Sequence, residues 1–223
     1  MGEKLAEEIM ALRAAKEFKD GNVINLGAGI PSLCASFIPE DRNVMFESEN
    51  GALGYGEIIT EDEFKKVEIQ HIDASGRYFL PKKGMSFFDM GISLDLMRNG
   101  RLDVTCLGAY QVSEKGDIAN WSIPGDPGQG IGGGMDLVYG AKKVIVIMEH
   151  VTKTGELKIL KECSYPLTGK GCVNLIITDI AVIEHSEEGL VLKEYAPGWT
   201  PEEIQSLTEP KLIMADDLKE LEL

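Results

Sequence analysis

Histidine and cysteine are scarce in this chain of 223 residues, and the few present are poorly spaced for a metal. His71, His150 and His185 show neither HxH nor HExxH spacing, and no Cys or acidic cluster completes a zinc site, so no metal centre is expected. The four cysteines, Cys34, Cys106, Cys163 and Cys172, lack CxxC spacing, and three lie in apolar surroundings. They read as reduced core thiols rather than a disulfide frame. Basic residues are few as well. With 22 Lys and Arg against 37 Asp and Glu, the formal charge is −15. Nucleic acid and anionic membrane surfaces are thereby excluded as partners, because both require a basic face that releases counterions. No apolar run approaches a membrane span, and the opening MGEKLAEEIMALRAAKEF has no apolar signal core. Position 6 is Ala rather than Ser or Thr, which removes a myristoylation reading of Met1-Gly2. A soluble, cytoplasmic protein is the expectation. A GxSxG elbow is missing too, so a serine hydrolase lacks its structural context.

Glycine, by contrast, is abundant at 25 residues and spread through turn-like positions, which suits an α/β protein better than a helical bundle. No linker or composition shift divides residues 1–223, so one domain is expected. Leu5, Ile9, Leu12 and Ala15 recur at helical spacing until Asp20-Gly21 stops the run. Val23–Leu26 then reads as a short buried strand opening into Gly27-Ala28-Gly29-Ile30-Pro31, and Ser32–Phe37 as a second helix. Asp103–Gly108 and Lys143–Met148 are further buried strands, the latter preceded by a helix over Met135–Gly140. This alternation predicts an open, mainly parallel sheet flanked by helices. Near the carboxyl end, Ile180–Ile183 and Leu190–Glu194, joined through Glu187-Glu188-Gly189, predict an antiparallel hairpin. Thr200-Pro201-Glu202-Glu203 predicts a capped helix after it.

Two features point to chemistry. Phe46-Glu47-Ser48-Glu49-Asn50-Gly51 sends two acids from a short strand, Val44–Phe46, straight into an Asn-Gly turn. Gly128-Gln129-Gly130-Ile131-Gly132-Gly133-Gly134 stands before the Met135–Gly140 helix, where successive backbone N–H groups can converge on an anion or a developing oxyanion. The bland reading of that run is a tight turn under a helix, but adjacent glycines cost backbone entropy that an ordinary turn does not require. Gly27-Ala28-Gly29 lacks the third glycine of a dinucleotide fingerprint, position 32 being Ser. His150, at a strand end, reads as a hydrogen-bonded structural residue before it reads as a base.

The sequence resembles the family I coenzyme A transferases, specifically the β (B) subunit of the 3-oxoacid or acetoacetate type. The resemblance is carried by Asn25–Pro31, Ser48-Glu49-Asn50-Gly51, Phe87-Phe88-Asp89, Leu107-Gly108-Ala109 with Gln111-Val112, Ala119-Asn120-Trp121, Gly130–Leu137 and Pro166–Gly169, in one order along nearly the whole chain. It implies that Glu49 is the nucleophile and that backbone donors near Gly132 and Gly133 form an oxyanion hole. It further implies an α (A) subunit as partner, in an α2β2 assembly, and coenzyme A thioesters as substrates with no metal or other cofactor. Residues for the CoA nucleotide are not identified, although Lys142-Lys143 offers a local positive cluster. Departures from the family pattern are Glu47, where relatives carry Gln or His, Ala52 in place of a large aliphatic residue, Asp126 after Pro124-Gly125, and Gly134 in place of Ala. The acyl substrate therefore stays open, as do acyl-CoA hydrolysis and a metabolite-sensing module on the same fold. Glu47 and Glu49 share a face if the strand continues through both, and diverge if the turn begins at Ser48.

Overall fold

The structure, a computed structural model, describes residues 2–39, 41–59, 61–126 and 130–222. After helix α1 (Glu7–Ala15) come β1 (Val23–Leu26), the single turn α2 (Ile30–Leu33), β2 (Met45–Ser48), β3 (Ala52–Leu53), β4 (Ser86–Phe87) and α3 (Met90–Arg98). The middle of the chain forms β5 (Val104–Leu107), β6 (Gln111–Ser113), β7 (Ile118–Ala119), α4 (Gly134–Gly140), β8 (Lys143–Ile147) and β9 (Ile159–Leu160). The remainder forms β10 (Leu175–Ile177), β11 (Ala181–Ser186), β12 (Gly189–Tyr195), α5 (Pro201–Ser206) and β13 (Ile213–Glu220).

Ten strands make one sheet in the order β13-β12-β11-β10-β8-β5-β1-β2-β3-β4, and β7-β6-β9 make a small second sheet. The block β10-β8-β5-β1-β2 is parallel throughout. The predicted parallel sheet is present, and β11 and β12 form the predicted antiparallel hairpin.

Both faces of the parallel block are covered, which is why its strands read as unbroken apolar runs. Along β8 the pleat sends Val144 and Val146 to one core and Ile145 and Ile147 to the other. The first core holds Met97 of α3, Leu137 and Val138 of α4, and Trp199; the second holds α1 with Phe18 and Cys34. Helix α1 presses Met10, Ala11, Ala14 and Ala15 inward, while Ile9 and Leu12 of the predicted stripe stay half-buried. Three alanines let this helix lie close to the sheet. The second predicted helix starts two residues early, at Ile30, because Pro31 sits in the first turn, where its missing N–H costs nothing, and continues as a 3-10 turn over Cys34–Phe37. Thr200 and Glu203 form the expected reciprocal cap on α5.

The chain lays β2 on one side of β1 and later β5 on the other. Strand order therefore reverses at β1, and ligands of open α/β sheets bind beyond the carboxyl ends of strands at such a point. A crevice of about 610 Å³ opens there, lined by Gly27 and Ala28 after β1, Gly108 and Ala109 after β5, and Met148 after β8.

Candidate active site

The acid pair sits on the hairpin of β2 and β3, beside that reversal. Ser48 pairs with Ala52, leaving Glu49, Asn50 and Gly51 as the loop, and the Gly51 N–H donates to Ser48 O at 2.8 Å. The turn thus begins at Ser48. Gly51 has φ +108°, and a Cβ there would lie 1.9 Å from the Phe88 carbonyl oxygen, so no other residue fits. The Asn50 amide donates to Ile72 O, and the Ser48 hydroxyl accepts from the Ala74 N–H, both at 2.8 Å. Three of the four residues in Ser-Glu-Asn-Gly therefore fix the turn. Glu49 alone takes no part in these contacts, and its side chain turns to the glycine run instead.

The Glu49 carboxylate accepts from the Gly133 N–H at 3.4 Å through Oε1. A Cβ on Gly133 would stand 3.3 Å from Glu49 Cδ, and one on Gly132, whose φ is +52°, 3.4 Å from Oε1. The structure brings Glu49, Gly132 and Gly133 together; Gly128 and Gln129 of the same run lie outside the described residues. Burial holds the Glu49 pKa above the ordinary carboxylate value, the Gly133 N–H opposes this, and the charges of Asp136 and Asp73 add to the rise.

The glycine run rests on residues drawn from several of the quoted motifs. A Cβ on Gly134 would come 3.2 Å from Thr168 Cγ2. The Thr168 hydroxyl donates to Asn120 Oδ1 at 2.5 Å, and the Asn120 amide donates to Gly108 O at 3.2 Å. Loops after β5 and β7 are thereby tied beneath the start of α4.

Glu47 takes the diverging alternative. Its side chain is only 1% exposed and accepts from Ser93 Oγ of α3 at 2.7 Å and from Asn25 Nδ2 of β1 at 3.0 Å. The Thr105 hydroxyl of β5 donates to Asn25 Oδ1 at 3.3 Å. Burial pushes the Glu47 pKa up to about 7; Ser93 and Asn25 pull it down, and the Glu49 charge adds to the rise. Ser93 and Thr105 escaped the sequence reading, and Asn25 appeared only within a motif. Asn25 and Thr105 did carry a signal, being polar residues inside apolar strands.

His150 is fully buried, bonded to Thr178 Oγ1 at 3.0 Å and Thr208 Oγ1 at 2.9 Å, and burial lowers its pKa to about 4. Both ring nitrogens are thus satisfied by neutral hydroxyls, the surroundings of a structural histidine. Lys142 and Lys143 are paired with Asp103 and Glu17 at 2.8 and 2.7 Å, at the amino end of β8, away from the crevice. The cations lining the crevice are instead Lys153 and Lys158, which make no ion pair among the described residues. No cluster of three or more metal-ligating side chains occurs among the described residues. No helix among them is long and apolar enough to cross a membrane.

The chain is thus an α/β protein with a mainly parallel sheet, in which a carboxylate presented on a hairpin beside the sheet's reversal faces a glycine-rich backbone donor. The Coenzyme A transferase family matches residues 7–207. The chain is 45% identical to the beta chain of a probable coenzyme A transferase of Bacillus subtilis, covering 95% of this chain and 97% of that one. It is 46% identical to the β (B) subunit of the succinyl-CoA:3-ketoacid coenzyme A transferase of Helicobacter pylori, over 91% of this chain and 96% of that one. The crystal structure of an acyl-CoA transferase from Escherichia coli O157:H7 superposes with a TM-score of 0.76 at 22% identity, covering 97% of this chain but 43% of that one. The chain belongs to the coenzyme A transferase family.

Proposed function

We propose that this chain is the catalytic β subunit of a transferase that moves CoA between a short-chain acyl-CoA and a carboxylic acid such as acetoacetate, through a glutamyl-CoA thioester on Glu49. The observation that carries this reading is the contact between the Glu49 carboxylate and the Gly133 N–H on a loop that two glycines keep open. Attack by Glu49 on the thioester carbonyl expels CoA thiolate and forms a mixed anhydride. The thiolate then attacks the glutamyl carbonyl, releasing the free carboxylate and leaving CoA on the enzyme. A second carboxylate repeats the two steps in reverse. One carboxylic thioester replaces another, so neither ATP nor a metal is required. A Ser or Cys nucleophile would hold the acyl group and could not carry CoA.

Each addition places negative charge on a carbonyl oxygen. The Gly133 N–H, already aimed at the carboxyl group of Glu49, serves as the donor for that charge when the glutamyl carbonyl is attacked, with Gly132 beside it. Half-burial of Glu49 limits water, which protects both anhydride and thioester from hydrolysis.

The partner is an α subunit, in an α2β2 assembly. Phe87 of β4, Met90 and Ile92 at the start of α3, and Met135 and Tyr139 on α4 are each about half exposed or more, next to the Glu49 turn. An Arg98–Asp136 ion pair at 2.7 Å joins the two helices into one face. Such an apolar face beside a reactive carboxylate suits a permanent partner that shuts out water. Assaying a panel of acyl-CoA donors against carboxylate acceptors tests the reading, with the chain alone and with its partner. Transfer only in the presence of the partner supports it. CoA released free, without a CoA ester of the acceptor, replaces it with hydrolysis.

A further inference from the structure

We propose that Glu47 is a positioning residue for Glu49: a buried carboxyl group that holds a proton in the working enzyme and ties the nucleophile's hairpin to α3 and β1. Ser93, Glu47, Asn25 and Thr105 form one hydrogen-bonded row across α3, β2, β1 and β5, and none is more than 3% exposed. Asn25 reaches both the side chain of Glu47, at 3.0 Å, and its backbone carbonyl, at 3.4 Å. The row therefore grips the strand backbone two residues before Glu49.

Its partners are neutral. Among the described residues no cation pairs with Glu47, and the titratable groups coupled to it are the Glu49 carboxylate and the Tyr55 phenol, whose own pKa burial pushes upward. An ionised Glu47 would be a buried charge without a counter-ion, two residues from a second carboxylate. A protonated Glu47 satisfies the same site, donating to Ser93 Oγ while accepting from Asn25 Nδ2. Glu49, half-exposed and bonded to a backbone N–H, remains the anion of the pair. Two carboxyl groups are thus driven apart by their surroundings, one kept as acid and one as nucleophile.

Loss of the Glu47 proton, at a pKa of about 7, would set a second negative charge beside the carbonyl that must become an oxyanion. Transfer should then fall as pH rises through that titration, approaching tenfold per unit on the alkaline side. Glutamine keeps the shape and the donor toward Ser93 but cannot ionise.

Two measurements on the assembled enzyme test this. First, the pH profile of kcat for wild type and E47Q: the proposal expects a one-proton alkaline limb in wild type that is absent from E47Q, whatever the absolute rates. An unchanged limb in E47Q overturns it. This arm rests on the transferase reading above; the second does not. The wild-type infrared spectrum at pH 6 should contain a carboxylic-acid C=O band that is missing from E47Q and that fades as pH is raised to 9. No band lost in E47Q, with the variant folded, overturns the proposal even if the chain transfers CoA as described. A band lost in E47Q from a chain that transfers no CoA leaves Glu47 a buried acid and removes only the proposed function.

Discussion

The N–H of Gly133 donates to Glu49 Oε1 at 3.4 Å, and a Cβ on Gly133 would press on the Glu49 carboxyl group itself, 3.3 Å away. Gly133 has φ −80°, a conformation open to other residues, so the requirement for glycine there is contact with Glu49 and not backbone strain. Gly133→Val should therefore lower kcat on the order of 100-fold while thermal stability changes little. Parallel transfer assays and melting curves would check this, and a folded variant with wild-type turnover would reduce the loop to a turn.

Gly51 makes the opposite demand. Its φ of +108° and the 1.9 Å approach to the Phe88 carbonyl oxygen leave no room for Cβ, so Gly51→Ala should cost about 2 kcal/mol or more by denaturant unfolding. Activity should fall with it, because the hairpin that aims Glu49 must move. An alanine variant as stable as wild type would contradict the described turn.

Glu47 also makes stability depend on pH. Its folded-state pKa of about 7 exceeds the ordinary 4.5, so the folded chain binds more protons than the unfolded chain between these values. Stability from this group is full below about pH 4.5 and is lost as pH rises toward 7 and beyond, by up to about 3 kcal/mol. E47Q should flatten that slope. Chemical denaturation at several pH values, wild type against E47Q, would show the difference; parallel curves would exclude it.

His150 works in the reverse sense. With its pKa lowered to about 4, its contribution is full above the unfolded value of 6.5 and is lost as pH falls through 4. His150→Ala removes a fully buried ring from between two threonine hydroxyls and should cost about 2 to 4 kcal/mol. Turnover per folded molecule should hold. A selective loss of turnover would make His150 part of the chemistry.

Much of this architecture could be read beforehand where the signal is local. The cap of α5 needs only residues three apart, and Thr200 and Glu203 form it; the Asp89 cap of α3, equally local, went unread. Buried strands such as Lys143–Ile147 announce themselves as β-branched runs. The small sheet could not be read, because Ile118–Ala119 and Ile159–Leu160 are too short to carry a pattern and meet only through the fold around Gln111–Ser113. Strand β13 was missed for a similar reason: Ile213–Glu220 is an exposed edge with charge on both sides, and it reads as a polar tail. At the site, the acids and glycines stood out as residue types. Their environments did not, since the burial of Glu47 depends on Ser93, which is 46 positions away.

The central claim, that Glu49 carries CoA, is tested most directly by locating the thioester. The assembled enzyme is incubated with acyl-CoA and no acceptor acid, then treated with borohydride, and the modified peptide is fragmented. The account predicts a reduced side chain at Glu49 only, dependent on prior exposure to donor, and absent from Glu49→Gln, which should also abolish transfer with folding intact. Reduction at Glu47, or wild-type transfer by Glu49→Gln, would contradict it.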